Sequence, residues 1–207
     1  VDGFVTFSQF YVDHMAELFA VEKSKFRVVP LGIETAPLES LERKPGRPKT
    51  IGFFARISPE KGFHHFIDGF IELAKRPGME NVHARAGGWL GGQDQAYFGE
   101  QLAKLDQAGI TDRFEYIGSP EQDGKLRFYE EIDVFSVPTD FLEPKGLYVL
   151  EALAAGLPVV QPAHGSFPEL LADVSDARLV EPKNPAALAD AWAEALNPVS
   201  YTHLTLP

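Results

Sequence analysis

The strongest restriction on this chain is an alternation that begins at Thr50 and runs almost to the end. Short apolar runs at 50–55, 82–86, 114–117, 134–137, 158–161 and 177–180 are separated by stretches with helical periodicity. Those stretches cover 62–75, 95–108, 122–131, a segment opening near Gly146 and stopping at Gly156, one opening at Glu169, and 186–196. Strands that are apolar throughout, rather than on alternate residues, are buried on both faces, and long helical connections join parallel neighbours. The predicted class is therefore α/β, a parallel sheet covered by helices on both sides. Ligands of such sheets gather at the carboxyl ends of the strands. Glycine clusters follow Ala55, Ala86, Ile117, Pro138 and Pro162, at those ends.

Two loops stand out chemically. The first, Phe54-Ala-Arg-Ile-Ser-Pro-Glu-Lys-Gly62, puts Arg56 and Lys61 between a strand and a helix. A planar guanidinium and a compact ammonium both suit phosphate oxygens, although two loop cations alone are more often just solvated. The second runs from Pro138 through Glu143 to Gly146, where a helix opens, and on through Glu151. A helix start offers unpaired N–H groups and the positive end of a dipole, and Gly146 lets a ligand approach the main chain. Glu143 and Glu151, with seven residues between them, would repel phosphate. Sugar hydroxyls are the fitting partner for carboxylates placed there.

Glu143-x7-Glu151 with its internal Gly146 and the Ala-Ala-Gly-Leu-Pro-Val-Val160 exit resembles the donor-site signature of the family-4 retaining glycosyltransferases. Arg56-x4-Lys-Gly62 resembles their second signature. The resemblance implies a Rossmann-like parallel sheet forming the C-terminal half of a GT-B fold, plus a remnant of the N-terminal domain. It implies transfer of a sugar from a nucleotide-diphosphate sugar to a hydroxyl acceptor with retention of configuration. Arg56 and Lys61 would neutralise the diphosphate, and the amides of Gly146, Leu147 and Tyr148 would cap the distal phosphate. Glu143 would accept from sugar hydroxyls, Glu151 would hold the ribose, and Gly118 would lie by the base. No metal and no cofactor are implied, since the cations and helix terminus supply the electrostatic stabilisation. Two departures are visible: Lys145 stands where the family has an aromatic residue, and Gly165-Ser-Phe-Pro-Glu169 replaces Gly-Gly-x-Pro-Glu. Two alternatives remain open: a non-catalytic sugar-nucleotide-binding module, and another GT-B enzyme such as an epimerase or phosphorylase.

Upstream of Thr50, residues 1–8 read as a strand and Ser8 as the cap of a helix at 9–19, with a second strand at 25–33. Segment 1–34 is expected to be a remnant of the acceptor-side domain. Segment 35–49, with Pro37, Pro45 and Pro48, is read as a linker, and 50–198 as the donor-binding domain. Asn184 is expected to cap the last helix, with Pro185 in its first turn. The start in mid-pattern, without Met, predicts a missing N-terminus. Residues 199–207 are similar to a translated sequencing-library adapter and are expected to be non-native. Nineteen basic against thirty acidic residues, a net charge of −11, disfavour a nucleic-acid partner. The absence of cysteine excludes disulfides, thiolate metal sites and cysteine nucleophiles, and fits a reducing compartment. No stretch is apolar for long enough to span a bilayer. The expected location is the cytoplasm, with room for peripheral contact at the inner face of a membrane through the missing domain. Adjacent His64 and His65 are expected to point apart as surface histidines, which disfavours a metal shared between them, and Phe7, Phe10, Phe53 and Phe54 to be core. The Gly87–Gly92 loop is read as a rim of the cleft.

Overall fold

A computed structural model describes residues 2–43 and 46–197. Pro45 of the expected linker and the expected tail at 199–207 lie outside the described residues. Near the N-terminus, β1 (Phe4–Thr6) and β2 (Phe26–Val28) pair in parallel as a separate two-stranded sheet, connected through α1 (Gln9–Phe19). Ser8 begins α1 as expected, its side chain accepting from the Tyr11 amide at 3.3 Å.

Segment 35–49 differs from a free linker. It holds a short helix, α2 (Ala36–Glu39), whose Leu38 is buried in the main core. Pro37 sits in the first turn, where a missing N–H costs nothing, so proline content here does not mean an unstructured chain. Arg47 then anchors the segment, donating to both carboxylate oxygens of Asp133 at 2.7 and 3.1 Å and to the Ile132 carbonyl at 3.0 Å.

The alternation beginning at Thr50 folds as expected. The strands are β3 (Thr50–Phe54), β4 (His83–Gly87), β5 (Phe114–Tyr116), β6 (Val134–Phe135), β7 (Val159–Pro162) and β8 (Ala177–Val180). They form one six-stranded sheet, parallel throughout, in the order β5-β4-β3-β6-β7-β8. The helices are α3 (Phe63–Ala74), α4 (Gln95–Gln107), α5 (Gln122–Glu130), α6 (Leu147–Ala154), α7 (Phe167–Leu170) and α8 (Pro185–Leu196). Asn184 caps α8, accepting from the Ala187 amide at 3.0 Å.

Successive side chains of a strand point to opposite faces, and β3 shows what each face meets. Phe53 packs on Phe63 and Phe66 of α3, with ring centroids 5.4 Å apart in both cases, and Trp192 of α8 meets Phe66 at 5.5 Å. Phe54 turns the other way, onto Phe128 of α5 at 5.0 Å. Helices therefore cover both faces. Burying one such ring stabilises the fold by about 1.5–3 kcal/mol. Phe53 is core as expected, whereas Phe7 and Phe10 are only half-buried.

The strand order reverses at β3: the chain steps outward through β4 and β5, then returns to place β6 on the other flank of β3. At such a reversal a crevice opens outside the carboxyl ends of the two neighbouring strands, here β3 and β6. None of the described helices is long and apolar enough to cross a membrane.

Candidate functional site

The loops after β3 and β6 meet in that crevice. Gly62, before α3, has φ +67°, and a Cβ there would fall 1.8 Å from the Pro138 carbonyl oxygen. Only a residue without a side chain permits this approach. The Glu60 carbonyl then accepts from the Thr139 hydroxyl at 2.8 Å and from the Asp140 and Phe141 amides at 3.0 and 3.1 Å. The two loops are laced together before any charged side chain is considered.

On this frame Lys61 and Glu143 form an ion pair, Nζ to Oε2 2.6 Å, with most of both side chains withdrawn from water. Glu143 is buried, not the exposed loop carboxylate that position alone suggests. Its Oε2 also accepts from the Tyr148 hydroxyl at 3.1 Å, and the Lys145 and Gly146 amides point at Oε1 from 3.4 and 3.5 Å. Burial alone would raise its pKa. The hydrogen bond and charge of Lys61, with Gly146 and Tyr148, outweigh that and hold it below the usual carboxylate range. The same neighbourhood, burial first and the Glu143 charge second, pushes the Tyr148 phenol well above its ordinary value. The Lys61 ammonium also stands over the rings of Phe141 and Tyr148, at 5.4 and 5.5 Å.

Gly146 holds φ +60° at the start of α6. Among the described residues, the amides of Leu147 and Tyr148 in the first turn have no acceptor. Arg56, Lys61, Glu143, Lys145, Leu147 and Tyr148 line one open depression of about 260 Å³. Arg56 is paired within its own loop, with Glu60 at 2.5 Å. Lys145 takes an exposed position in the same depression, its ammonium 5.2 Å from the Phe7 ring.

Glu151 and Gly118 do not line that depression. Glu151 sits a turn further along α6, where Lys125 reaches its Oε1 at 2.6 Å and the Tyr129 hydroxyl its Oε2 at 3.0 Å. Lys125 and Tyr129 are four apart on α5 and so share one face. Gly118 follows β5, its carbonyl accepting from the Gly88 amide at 2.8 Å. Trp89, in the Gly87–Gly92 loop, is exposed.

The reading of His64 and His65 is corrected. His65 is buried, the two ring centroids lie 3.9 Å apart, and both rings face Asp140. Consecutive helical residues do diverge at Cβ, but the Glu60-anchored loop brings Asp140 between them and both side chains turn to it.

Sequence reasoning missed Tyr148 as a hydroxyl donor, the Lys125–Tyr129 cradle, and Glu169. The Glu169 carboxylate accepts from the Gln9 and Phe10 amides at 2.9 and 3.1 Å, capping α1 from the far side of the chain. Only the four-residue spacing of Lys125 and Tyr129 carried a signal; the other contacts join residues that periodicity cannot connect.

A six-stranded parallel sheet whose order reverses at β3, covered by helices on both faces, is the α/β architecture of GT-B glycosyltransferases. By sequence, the chain belongs to the glycosyl transferases group 1 family, whose model matches residues 39–199. It is 26% identical over 197 residues, 89% of the chain, to an uncharacterized glycosyltransferase of Methanocaldococcus jannaschii, covering 48% of that protein. It is 30% identical, over 95% of the chain, to a D-inositol 3-phosphate glycosyltransferase of Acidothermus cellulolyticus, covering 46% of it. The chain thus spans about half the length of these relatives. Among solved structures, the C-terminal domain of a glycosyl transferase group 1 family protein from Francisella tularensis is similar, with TM-score 0.68 and 26% identity. That match covers 78% of this chain and 86% of the other. Anabaena HepE, solved with UDP and glucose, shares the fold with TM-score 0.82 at 21% identity, over 96% of this chain and 54% of the other.

Proposed function

We propose that this chain is the donor-binding half of a retaining glycosyltransferase that takes its sugar from a nucleotide-diphosphate donor and passes it to a hydroxyl acceptor. The observation that carries this is the convergence of Arg56, Lys61, Glu143 and the start of α6 on one depression at the switch point of the sheet. As the glycosyl bond breaks, negative charge develops on the leaving diphosphate. Fixed cations and oriented amides stabilise that charge without rearranging, which is where such sites gain most of their rate.

In this reading Lys61 and Arg56 exchange their present carboxylate partners for phosphate oxygens, and the Leu147 and Tyr148 amides cap the distal phosphate. Glu143, held ionised, accepts from sugar hydroxyls. Glu151, oriented by Lys125 and Tyr129, accepts from the ribose, and the segment at Gly118 faces the base. The reaction needs no metal or cofactor, the protein's own cations standing in for one. HepE, solved with UDP and glucose, supports a nucleotide-sugar partner. Residues 2–34 belong to the acceptor-side domain, a reading favoured by their separate two-stranded sheet and by exposed Val5, Leu18, Phe19, Val28 and Val29. Any contact with a membrane would be made through that domain, and the expected compartment is the cytoplasm. On this reading the chain alone binds donor weakly and transfers little.

A thermal-shift screen of UDP-, GDP- and ADP-sugars tests this. A ligand at a hundred times its Kd stabilises the native state by about 2.7 kcal/mol. One nucleotide series should raise the melting temperature, and Arg56→Ala should remove most of the shift. Absence of any shift across the three series, or an undiminished shift in that variant, overturns the proposal.

A further inference from the structure

Outside the donor depression, one cluster has the composition of a metal centre. A ligand atom of His64, of His65 and of Asp140 all lie within 4.8 Å of one another. His65 Nε2 is 3.1 Å from one Asp140 oxygen, and His64 Nε2 is 4.0 Å from the other. We propose that His64, His65 and Asp140 bind one divalent transition-metal ion of the zinc type, joining the start of α3 to the loop that follows β6.

Four features support this. Ligand bonds of about 2 Å in a tetrahedral shell set donors roughly 3.3 Å apart, so small side-chain rotations close the present spacing. Two imidazoles and one carboxylate select Zn²⁺ or Co²⁺ over Mg²⁺ or Ca²⁺, which prefer all-oxygen shells. The ligands are anchored from behind. The Tyr97 hydroxyl lies 2.8 Å from His64 Nδ1 and accepts from the His64 amide at the same distance, while the Asp140 amide is tied to the Glu60 carbonyl. Partners of this kind fix ring orientation in metal sites. Finally, His64 and Asp140 remain partly open to water, 27% and 30% of their side chains, which gives an ion an entry path and a place for a fourth, non-protein ligand. The Lys183 ammonium, 3.7 Å from Asp140 Oδ1 and exposed, occupies the outer side and would swing away as the ion's charge arrives.

The site is independent of the donor reading and is tested without any nucleotide. The full chain, free of affinity tag and stripped by chelator, is titrated by calorimetry with Zn²⁺, Co²⁺ and Mg²⁺. Saturable one-to-one binding of Zn²⁺ and Co²⁺ is expected, with visible absorption from tetrahedral Co²⁺ and no comparable binding of Mg²⁺. Asp140→Asn and His64→Gln should each weaken Zn²⁺ binding by about tenfold or more. His14→Gln, an exposed histidine on α1, should leave it unchanged. Circular dichroism of each variant separates ligand loss from misfolding. His65→Gln, at a buried position, is interpreted only if folded, and the other two variants decide the matter if it is not. Absence of saturable Zn²⁺ binding, equal Mg²⁺ binding, or full affinity in both His64→Gln and Asp140→Asn overturns the proposal.

Discussion

Lys61 keeps 17% and Glu143 8% of side-chain exposure, so each is the other's main compensation for leaving water. Removing one partner of such a pair strands the other charge in a poor solvent, typically at a cost of about 3–5 kcal/mol. Lys61→Met should therefore destabilise by about 3 kcal/mol in urea unfolding. Adding Glu143→Gln to it should recover much of that loss without restoring any donor-induced thermal shift. If the double variant is no more stable than the single one, the pair is not the cause. Acid should act through the same carboxylate. Its folded pKa lies below its unfolded value, so the native state binds fewer protons than the unfolded chain near pH 4. The contribution is complete above the unfolded pKa, about 4.3, and disappears as pH falls through the folded one. Glu143→Gln should flatten this part of the stability–pH curve. An unchanged slope between pH 5 and pH 3, compared by urea midpoints, would count against that role.

At the scale of elements, the crevice depends on two loop-to-helix junctions. Gly62→Ala would drive a Cβ into the Pro138 carbonyl and place alanine at positive φ. Strain of this kind costs on the order of 1–3 kcal/mol, with the clash added. The variant should lose donor-induced stabilisation as well, because Lys61 precedes the strained position and the Glu60 carbonyl would no longer meet the loop of Asp140. The junctions were legible in the sequence for a physical reason: glycine after an apolar run and before a helical one marks both the turn and the site. The strands and most helices were legible for the same reason, because period and composition are local. What escaped was long-range or masked. The buried state of Glu143 depends on Tyr148 and on a loop 82 residues away. Helix α2 was hidden by a proline that is harmless in a first turn. The convergence of His64 and His65 depends on Asp140, which no spacing rule ties to them.

At the scale of the whole molecule, polar contacts among the described residues tie the N-terminal unit to the large sheet domain. Glu169 holds the Gln9 and Phe10 amides, and the Tyr11 hydroxyl donates to the Leu142 carbonyl at 2.6 Å, beside Glu143. Glu169→Ala should speed hydrogen exchange at the start of α1 while shifting the melting temperature of the main domain little. Equal destabilisation of both would show that they unfold as one. The altered turn at Gly165–Glu169 thus joins the start of α1 to the loop of Glu143, since Ser166 donates from its hydroxyl to the Glu143 carbonyl at 2.6 Å.

Three cations around the cleft already have an opposite number, Lys61 with Glu143, Arg56 with Glu60, and Lys125 with Glu151, while Lys145 lies against the Phe7 ring. A diphosphate arriving there enters by substitution, displacing internal counterions rather than settling into a bare positive hollow. Raising the ionic strength loosens the resident pairs along with the incoming one, so affinity should fall with salt less steeply than the tally of cations suggests. Inorganic pyrophosphate, with no hydroxyls to occupy the carboxylates it frees, should be a poor guest.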